Sequence, residues 1–233
     1  MNEVIDFFID AYREAPTHII ILEGIAFVFG ILSVWFAKKA NMWVYPTGII
    51  CTVITVYLLY VNKYFGDMMM NFYYSVMSVY GWWNWSRKKE GDYVVPISRT
   101  KRKEKLVGVF MFFITMIVTY LVYKGFDYSL EIPNYIDIVT SGIFFTAMWY
   151  MANKKLENWT LWIIANIVTI PLYAYRGLGM LSLQYIVFTI LAIQGYIEWK
   201  KSLTTTSKLY KSRFVWPRIN RKNNFNQTIS KTL

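Results

Sequence analysis

Seven apolar stretches, each about as long as a membrane is thick, make up most of this chain. Crossing the ~30 Å hydrocarbon core takes roughly 20 mostly apolar residues in a helix. Windows of this kind, bounded by charged or turn residues, cover 19–37, 43–61, 67–85, 106–123, 135–152, 159–175 and 181–199. Because 56% of the 233 residues are apolar and only 17% are charged, the sequence predicts an all-α integral membrane protein with seven transmembrane helices.

The first three windows resemble the last three. A shift of 116 residues places Lys38 on Lys154, Lys39 on Lys155, Trp43 on Trp159 and Tyr57 on Tyr173; with two residues removed from the following loop, Gly81 falls on Gly195 and Trp85 on Trp199. Three helices form an odd number, so the fourth window reverses the chain and makes the two units parallel. We therefore expect two parallel three-helix bundles, 19–85 and 135–201, joined by a linker helix, 106–124. Transporters hold substrates between such repeats near the bilayer midplane.

The basic residues predict an orientation in the membrane. If the windows alternate in direction, one side receives 21 of the 25 Lys and Arg residues and the other side receives four. The positive-inside rule then puts the loop 86–105 and the tail 202–233 in the cytoplasm, and residues 1–18 outside. This expectation is for a multi-pass protein of a bacterial inner (cytoplasmic) membrane. Orientation and attraction to the lipid bilayer explain the net charge of +11 better than binding to nucleic acid does.

Several kinds of chemistry are disfavoured by simple counts. The chain has one cysteine, Cys51, and one histidine, His18, so we expect no metal site, no cofactor and no intramolecular disulfide. The acids Glu23 and Asp137 have no evident nucleophile beside them, so no catalytic residue is assigned and the protein is not expected to be an enzyme. The same two acids leave proton-coupled transport open. Whether the chain forms a homo-oligomer is also left open.

Polar residues within the windows are the candidates for a binding site. Buried amides in lipid need a partner or a wet cavity. Steps of three and four place one set on a single face of the sixth window: Trp159, Trp162, Asn166, Thr169 and Tyr173. The third window contributes Asn71 and Tyr74, and the seventh contributes Gln184 and Gln194.

These residues favour a pocket with aromatic walls and amide hydrogen bonders, which suits a flat polar or cationic ring that carries hydroxyl groups. Two alternatives stay open at this point. The amides of Asn71, Asn166 and Gln184 could hold helices together. For Trp83, Trp85 and Trp199 we favour the aromatic belt at the membrane interface.

The motifs resemble those of the PnuC family of vitamin transporters, whose best-known members carry nicotinamide riboside. "WTLWIIAN", residues 159–166, fits W-x-x-W-x-x-x-[N/D], and "YFGDMMMNFYYSVMSVYGWWNW", residues 64–85, is similar to the family's third span. "ENWTLWIIANIVTIPLYAYRG" followed by "LQYIVFTILAIQGYIEWKKS" is similar to its sixth and seventh spans. The resemblance covers about residues 19–201 and leaves the basic tail unexplained.

The resemblance implies a fold like that of full-length SWEET proteins, with two three-helix bundles around a linker helix. It also implies facilitated diffusion of an unphosphorylated vitamin, which a cytoplasmic kinase then traps. By this likeness, Trp159, Trp162, Asn166 and Asn71 bind the small-molecule substrate. Sister branches of the family carry thiamine or riboflavin, so these two cargoes remain the alternatives to nicotinamide riboside.

Overall fold

Among the residues that the structure describes, the chain forms seven helices and one very short hairpin. A computed structural model describes residues 16–61, 65–89, 92–93, 95–125, 130–175 and 181–205. The helices are α1 (Thr17–Lys38), α2 (Val44–Val61), α3 (Phe65–Ser86), α4 (Arg102–Gly125), α5 (Ile132–Ala152), α6 (Glu157–Tyr175) and α7 (Leu181–Thr205). Two antiparallel strands, β1 (Lys88–Lys89) and β2 (Asp92–Tyr93), follow α3. Each of the seven apolar windows falls on one helix. Most of the segment 1–18 and of the tail 202–233 lies outside the described residues.

The helices differ in how apolar they are. Four of them, α1, α2, α4 and α7, are long and apolar enough to cross a membrane by length and composition. The other three carry more polar side chains. In α5 these include the buried Thr140, Ser141 and Thr146. A helix enclosed by its neighbours can carry hydroxyl groups because it meets protein rather than lipid.

The linker helix α4 lies against α5. The Tyr150 ring covers Gly108, where a Cβ atom would collide with it. The Thr146 hydroxyl lies 3.2 Å from the Gly108 carbonyl oxygen, and the Tyr123 hydroxyl donates to the Asp137 carboxylate. These contacts attach the linker helix to the second bundle.

The two bundles meet through two equivalent pairs of helices, each pair made of one helix from each bundle. The first helix of bundle one packs on the last helix of bundle two, because Gly30 of α1 lies against Gln184 and Phe188 of α7. The first helix of bundle two packs in the same way on the last helix of bundle one. There, Tyr73 of α3 stacks on Phe145 of α5 and donates its hydroxyl hydrogen to the Phe145 carbonyl at 3.1 Å. This pattern is the one expected of two parallel repeats.

Backbone hydrogen bonds fix the register of the repeat. The turn between α1 and α2 has the bonds Lys39 N to Trp35 O, Asn41 N to Phe36 O, Val44 N to Asn41 O and Tyr45 N to Met42 O. The turn between α5 and α6 has the same bonds at Asn153 to Trp149, Lys155 to Tyr150, Asn158 to Lys155 and Trp159 to Leu156. Each residue of the first turn therefore matches the residue 114 positions later.

This register corrects the sequence alignment over the first two helices of the repeat. The shift of 116 residues is wrong there, because the helix ends superpose at 114. The left-handed residues after the two helices agree, with Ala40 at φ 51° and Lys154 at φ 49°. Tyr45, and not Trp43, is therefore the counterpart of Trp159.

Part of the loop after α3 is docked on the second bundle. We call residues 95–104 the strap. Ser98 forms a parallel bridge with the turn before α6, with its N–H 3.0 Å from Lys154 O and its carbonyl 2.9 Å from Leu156 N. Glu104 forms an ion pair with Lys155 at 2.7 Å, and Thr100 N–H donates a hydrogen bond to the Glu157 carboxylate at 2.9 Å. The turn of the first bundle has no such cover among the described residues.

Candidate functional site

One face of α6 carries three buried polar atoms that meet no protein partner. They are Trp159 Nε1, Trp162 Nε1 and Asn166 Oδ1, each without a hydrogen bond to any described residue. Asn166 itself is 2% exposed. An unsatisfied buried donor or acceptor costs about 1–3 kcal/mol. Three of them on one face indicate a surface made to meet polar groups of another molecule.

Aromatic rings from three other helices surround the middle of this face. Trp162 lies 6.2 Å from the Tyr74 ring of α3 and 5.3 Å from the Phe144 ring of α5, measured between centroids. Tyr185 of α7 continues the wall, 6.0 Å from Phe144. Both bundles thus contribute to one aromatic enclosure beside Asn166.

The charge of the enclosure is neutral. The ring contacts that build it join Tyr, Phe and Trp, and the cation–π contacts found among the described residues lie on other rings. Such faces attract cations through the ring quadrupole. A phosphate group, in contrast, needs Lys, Arg or a helix N-terminus as a partner.

Trp159 occupies a different position from Trp162. Its indole packs onto Gly195 of α7, where a Cβ atom would come within 2.6 Å of the ring. It meets Trp199 edge to face at 5.5 Å, and its side chain is 1% exposed. Trp162 therefore forms the wall of the enclosure, while Trp159 forms its floor.

The other predicted residues divide between the enclosure and its surroundings. Tyr173 joins the wall through Tyr185, at 5.1 Å between ring centroids. Gln184 points from α7 to the Phe27 carbonyl of α1, at 3.5 Å. Asn71 lies one turn from Tyr74 on α3, and its backbone carbonyl accepts a hydrogen bond from the Ser75 hydroxyl at 3.0 Å. These three positions stay candidates.

Gln194 lies away from the enclosure. Its Oε1 accepts a hydrogen bond from Lys38 Nζ at 2.9 Å on an exposed part of the surface. This contact joins α7 to the end of α1.

Two tryptophans assigned to the interfacial belt are buried instead. Trp85 and Trp199 are each 1% exposed, so the belt interpretation is wrong for them. Their indole N–H groups bond backbone carbonyls of the opposite bundle, which removes them from lipid. Trp83, at 57% exposure, is placed as a belt residue would be.

Several site residues could not be found from spacing alone. Phe144 and Tyr185 lie in apolar windows with no local signal, and only the packing of α5 and α7 brings them to Trp162. Tyr45 could have been found, since the register of 114 residues places it on Trp159. Within the described part of the chain, no three His, Cys, Asp or Glu side chains are grouped as a metal site would need.

The chain is similar to known proteins over most of its length. The family model described as "Nicotinamide mononucleotide transporter" matches residues 20–201. The nicotinamide riboside transporter PnuC of Escherichia coli (strain K12) is 21% identical in an alignment of 204 residues that covers 78% of this chain and 85% of the relative. The riboflavin/roseoflavin transporter RibM of Streptomyces davaonensis is 20% identical over 192 residues, covering 82% and 89%.

A solved structure is similar as well. The crystal structure of the vitamin B3 transporter PnuC is 28% identical, with a TM-score of 0.61 and coverage of 77% of this chain and 80% of that one. The family match spans well over half of the chain. The protein is therefore a multi-pass membrane transporter that belongs to the nicotinamide mononucleotide transporter family, together with the PnuC proteins.

Proposed function

We propose that this protein carries nicotinamide riboside across the membrane. The observation that carries the proposal is the pair of unpartnered polar atoms, Asn166 Oδ1 and Trp162 Nε1, buried within a neutral aromatic enclosure. Nicotinamide riboside is a flat cationic ring with a hydroxylated arm. The rings hold the cation, and the amide of Asn166 accepts a hydroxyl hydrogen from the arm.

The neutral enclosure favours the riboside over its phosphorylated form. A phosphate dianion that left water for this site would have no Lys or Arg partner among the described residues of the wall, and an unpaired buried charge is strongly disfavoured. The same reasoning gives a direction to net uptake. Once a cytoplasmic kinase adds phosphate, the product no longer fits the site and cannot return.

Facilitated diffusion suits the position of Asp137, one of the two acids that left proton coupling open. Asp137 accepts the Tyr123 hydroxyl between α4 and α5, outside the contacts that build the enclosure. We therefore assign it a structural role and propose transport down a gradient without an ion. Counterflow in sealed vesicles, where no kinase acts, should continue after an uncoupler collapses the proton gradient. Loss of counterflow would instead support a proton-coupled carrier.

Riboflavin and thiamine remain the competing cargoes. A relative described as a riboflavin/roseoflavin transporter favours the first of them, and thiamine shares the cationic ring and hydroxyl arm. Titration calorimetry of the purified protein with nicotinamide riboside, its mononucleotide, thiamine and riboflavin would separate them. We expect the riboside to bind at least about tenfold more tightly than each of the others, a difference of about 1.4 kcal/mol. Tighter binding of another ligand would replace the proposed cargo.

We further propose that the end of the bundle with Lys38, Trp85, Lys154 and Trp199 faces the cytoplasm of a bacterial inner membrane. We call it the basic end. The support is the asymmetric distribution of Lys and Arg. Arg99 of the strap is exposed, so Arg99→Cys in a Cys51→Ala background should react with an impermeant thiol reagent in permeabilised cells alone. Labelling in intact cells would reverse the orientation.

A further inference from the structure

Four aromatic rings form a row across the boundary between the bundles at the basic end. The ring centroids lie 5.0 Å apart from Tyr45 to Trp85, 6.1 Å from Trp85 to Trp199, and 5.5 Å from Trp199 to Trp159. The interplanar angles along the row are 85°, 50° and 86°. The two outer angles are nearly equal, and the two outer distances, 5.0 and 5.5 Å, are both shorter than the central one. The row therefore follows the approximate symmetry of the repeat. All four side chains are at most 1% exposed.

Two hydrogen bonds lock this row in a reciprocal manner. Trp85 Nε1, at the end of bundle one, donates to Ala152 O at the end of α5, at 3.1 Å. Trp199 Nε1, at the end of bundle two, donates to Ala37 O and Lys38 O at the end of α1, both at 3.1 Å. The last carbonyls of a helix have no partner within that helix. Each bundle thus caps the first helix of the other, and we call these bonds the indole latches.

The row lies between the enclosure and the basic end. Trp159 precedes Trp162 by three residues and Asn166 by seven, which places it about 5 and 10 Å nearer to that end along α6. A polar cargo beside Asn166 would have to pass the row to leave in that direction. The four rings are packed together and buried, so they occupy the direct route between the two.

We propose that the aromatic row and its two indole latches are the gate at the basic end, and that cargo leaves the site there only when Trp85 and Trp199 separate. This requires the bundles to part as bodies, since each latch joins helices of different bundles. The inference goes beyond the proposed cargo, but it rests on the proposed binding site beside Asn166. The experiment below uses nicotinamide riboside as its probe and so rests on the proposed function.

The surroundings of the Trp199 latch make it accessible to a cross-linker. Lys38 Nζ lies 3.4 Å from Glu198 Oε1, with side chains 13% and 45% exposed. In a Cys51→Ala background, the pair Lys38→Cys and Glu198→Cys would be bridged by a short bifunctional thiol reagent. The control pair, Glu198→Cys with Ser202→Cys, places a bridge of the same reagent within α7 alone.

For the bridged Lys38–Glu198 pair, we expect uptake of radiolabelled nicotinamide riboside into vesicles to fall at least about tenfold, with binding affinity within about twofold of the unbridged protein. The bridged control pair should keep both. Full uptake by the bridged Lys38–Glu198 pair would overturn the gate. If the Cys51→Ala parent protein takes up no riboside, the proposed cargo is wrong, and the gate is then decided by the labelling experiment below, which needs no cargo.

A second variant tests the latch without a cross-link. Trp199→Phe keeps a ring but removes the N–H donor, and the loss of one hydrogen bond should raise the open fraction about fivefold. The reporter is Thr169→Cys, on the α6 face beyond Asn166, labelled by an impermeant reagent applied at the basic end. Labelling should accelerate by that factor, whereas Trp82→Phe, an exposed tryptophan of α3, should leave the rate unchanged. Equal labelling rates in the Thr169→Cys parent, its Trp199→Phe variant and its Trp82→Phe variant would refute the latch.

Discussion

The helices α2 and α6 occupy equivalent places in the two bundles, and their first turns make the same contacts. Tyr45 of α2 packs on Gly81, and Trp159 of α6 packs on Gly195, 114 residues later in each case. Further along, the side chains differ. In the register of 114 residues, Gly48 corresponds to Trp162, and Thr52 corresponds to Asn166.

The difference between the two helices has a simple physical basis. Around Gly48 lie the hydroxyls of Ser33 and Ser78, which fill the space a side chain would take. Thr52 is within 2.7 Å of the Ser75 hydroxyl. At the α2 positions that correspond to Trp162 and Asn166, the side chain is therefore either absent, as at Gly48, or paired inside its own bundle, as at Thr52. Trp162 Nε1 and Asn166 Oδ1 are buried without a partner, and so is the Tyr45 hydroxyl at the start of α2. The duplicated backbone supplies the closure at the basic end, and divergence on α6 supplies the binding chemistry.

We expect the largest effect on stability at the two glycines against which Tyr45 and Trp159 pack. Gly81→Ala and Gly195→Ala would each drive a Cβ atom into a buried ring, and overpacking of this kind costs about 1–3 kcal/mol. We expect both variants to lower the melting temperature of the purified protein. Gly24→Ala, on an open surface of α1, should be neutral or slightly stabilising. If only one of these two variants melts at a lower temperature, the basic ends of the two bundles are not equivalent.

Where the side chains of α2 and α6 differ, we expect an effect on affinity for the cargo. Trp162→Leu removes a ring from the enclosure, and a desolvated cation–π contact is worth about 2 kcal/mol, so affinity for nicotinamide riboside should fall about thirtyfold. Trp43→Leu serves as the control because Trp43 is 59% exposed and is not the counterpart of Trp159. A loss of affinity in the Trp43 variant would mean that the effect of Trp162→Leu is not specific to the enclosure.

The strap predicts the smallest effect, confined to one half. Burial alone would raise the pKa of Glu104, but hydrogen bonds from Lys101 N–H and Lys155 and the charges of both lysines outweigh it, so the pKa is lowered from 4.5. A carboxylate with a lowered pKa in the folded state stabilises the protein above its unfolded pKa, and this stability is lost as pH falls through the folded value.

Glu104 is partly exposed, so its ion pair should contribute no more than about 1 kcal/mol. The melting temperature should therefore fall below about pH 4.5 by a little more in the native protein than in Glu104→Gln, for which the same step is absent. Thermal scans from pH 7 to pH 3.5 would measure the difference. Identical curves would mean that the strap adds nothing to stability.

The helices were predictable because apolar length and bounding charges are local signals. The site was predictable in part, since the spacing of Trp162 and Asn166 on one helix face needs no tertiary information. What the sequence could not supply was contact between helices. Trp85 and Trp199 lie near the ends of apolar windows, as belt residues do. Only the packing of the two bundles shows that each indole bonds the end of a helix in the other bundle. The true repeat register likewise emerged from backbone hydrogen bonds, because chance Lys and Trp matches favoured the wrong one.

The most direct test of the binding site compares Asn166→Leu with Thr52→Val, its counterpart in α2. For each variant, the affinity for nicotinamide riboside and the ligand-free melting temperature would be measured on purified protein. Loss of a desolvated polar partner costs about 1–3 kcal/mol, so Asn166→Leu should bind roughly tenfold to hundredfold more weakly with little change in melting temperature, and Thr52→Val should keep its affinity. Unchanged affinity with reduced stability in Asn166→Leu would instead mean that this amide holds helices together, and that the vitamin binds elsewhere.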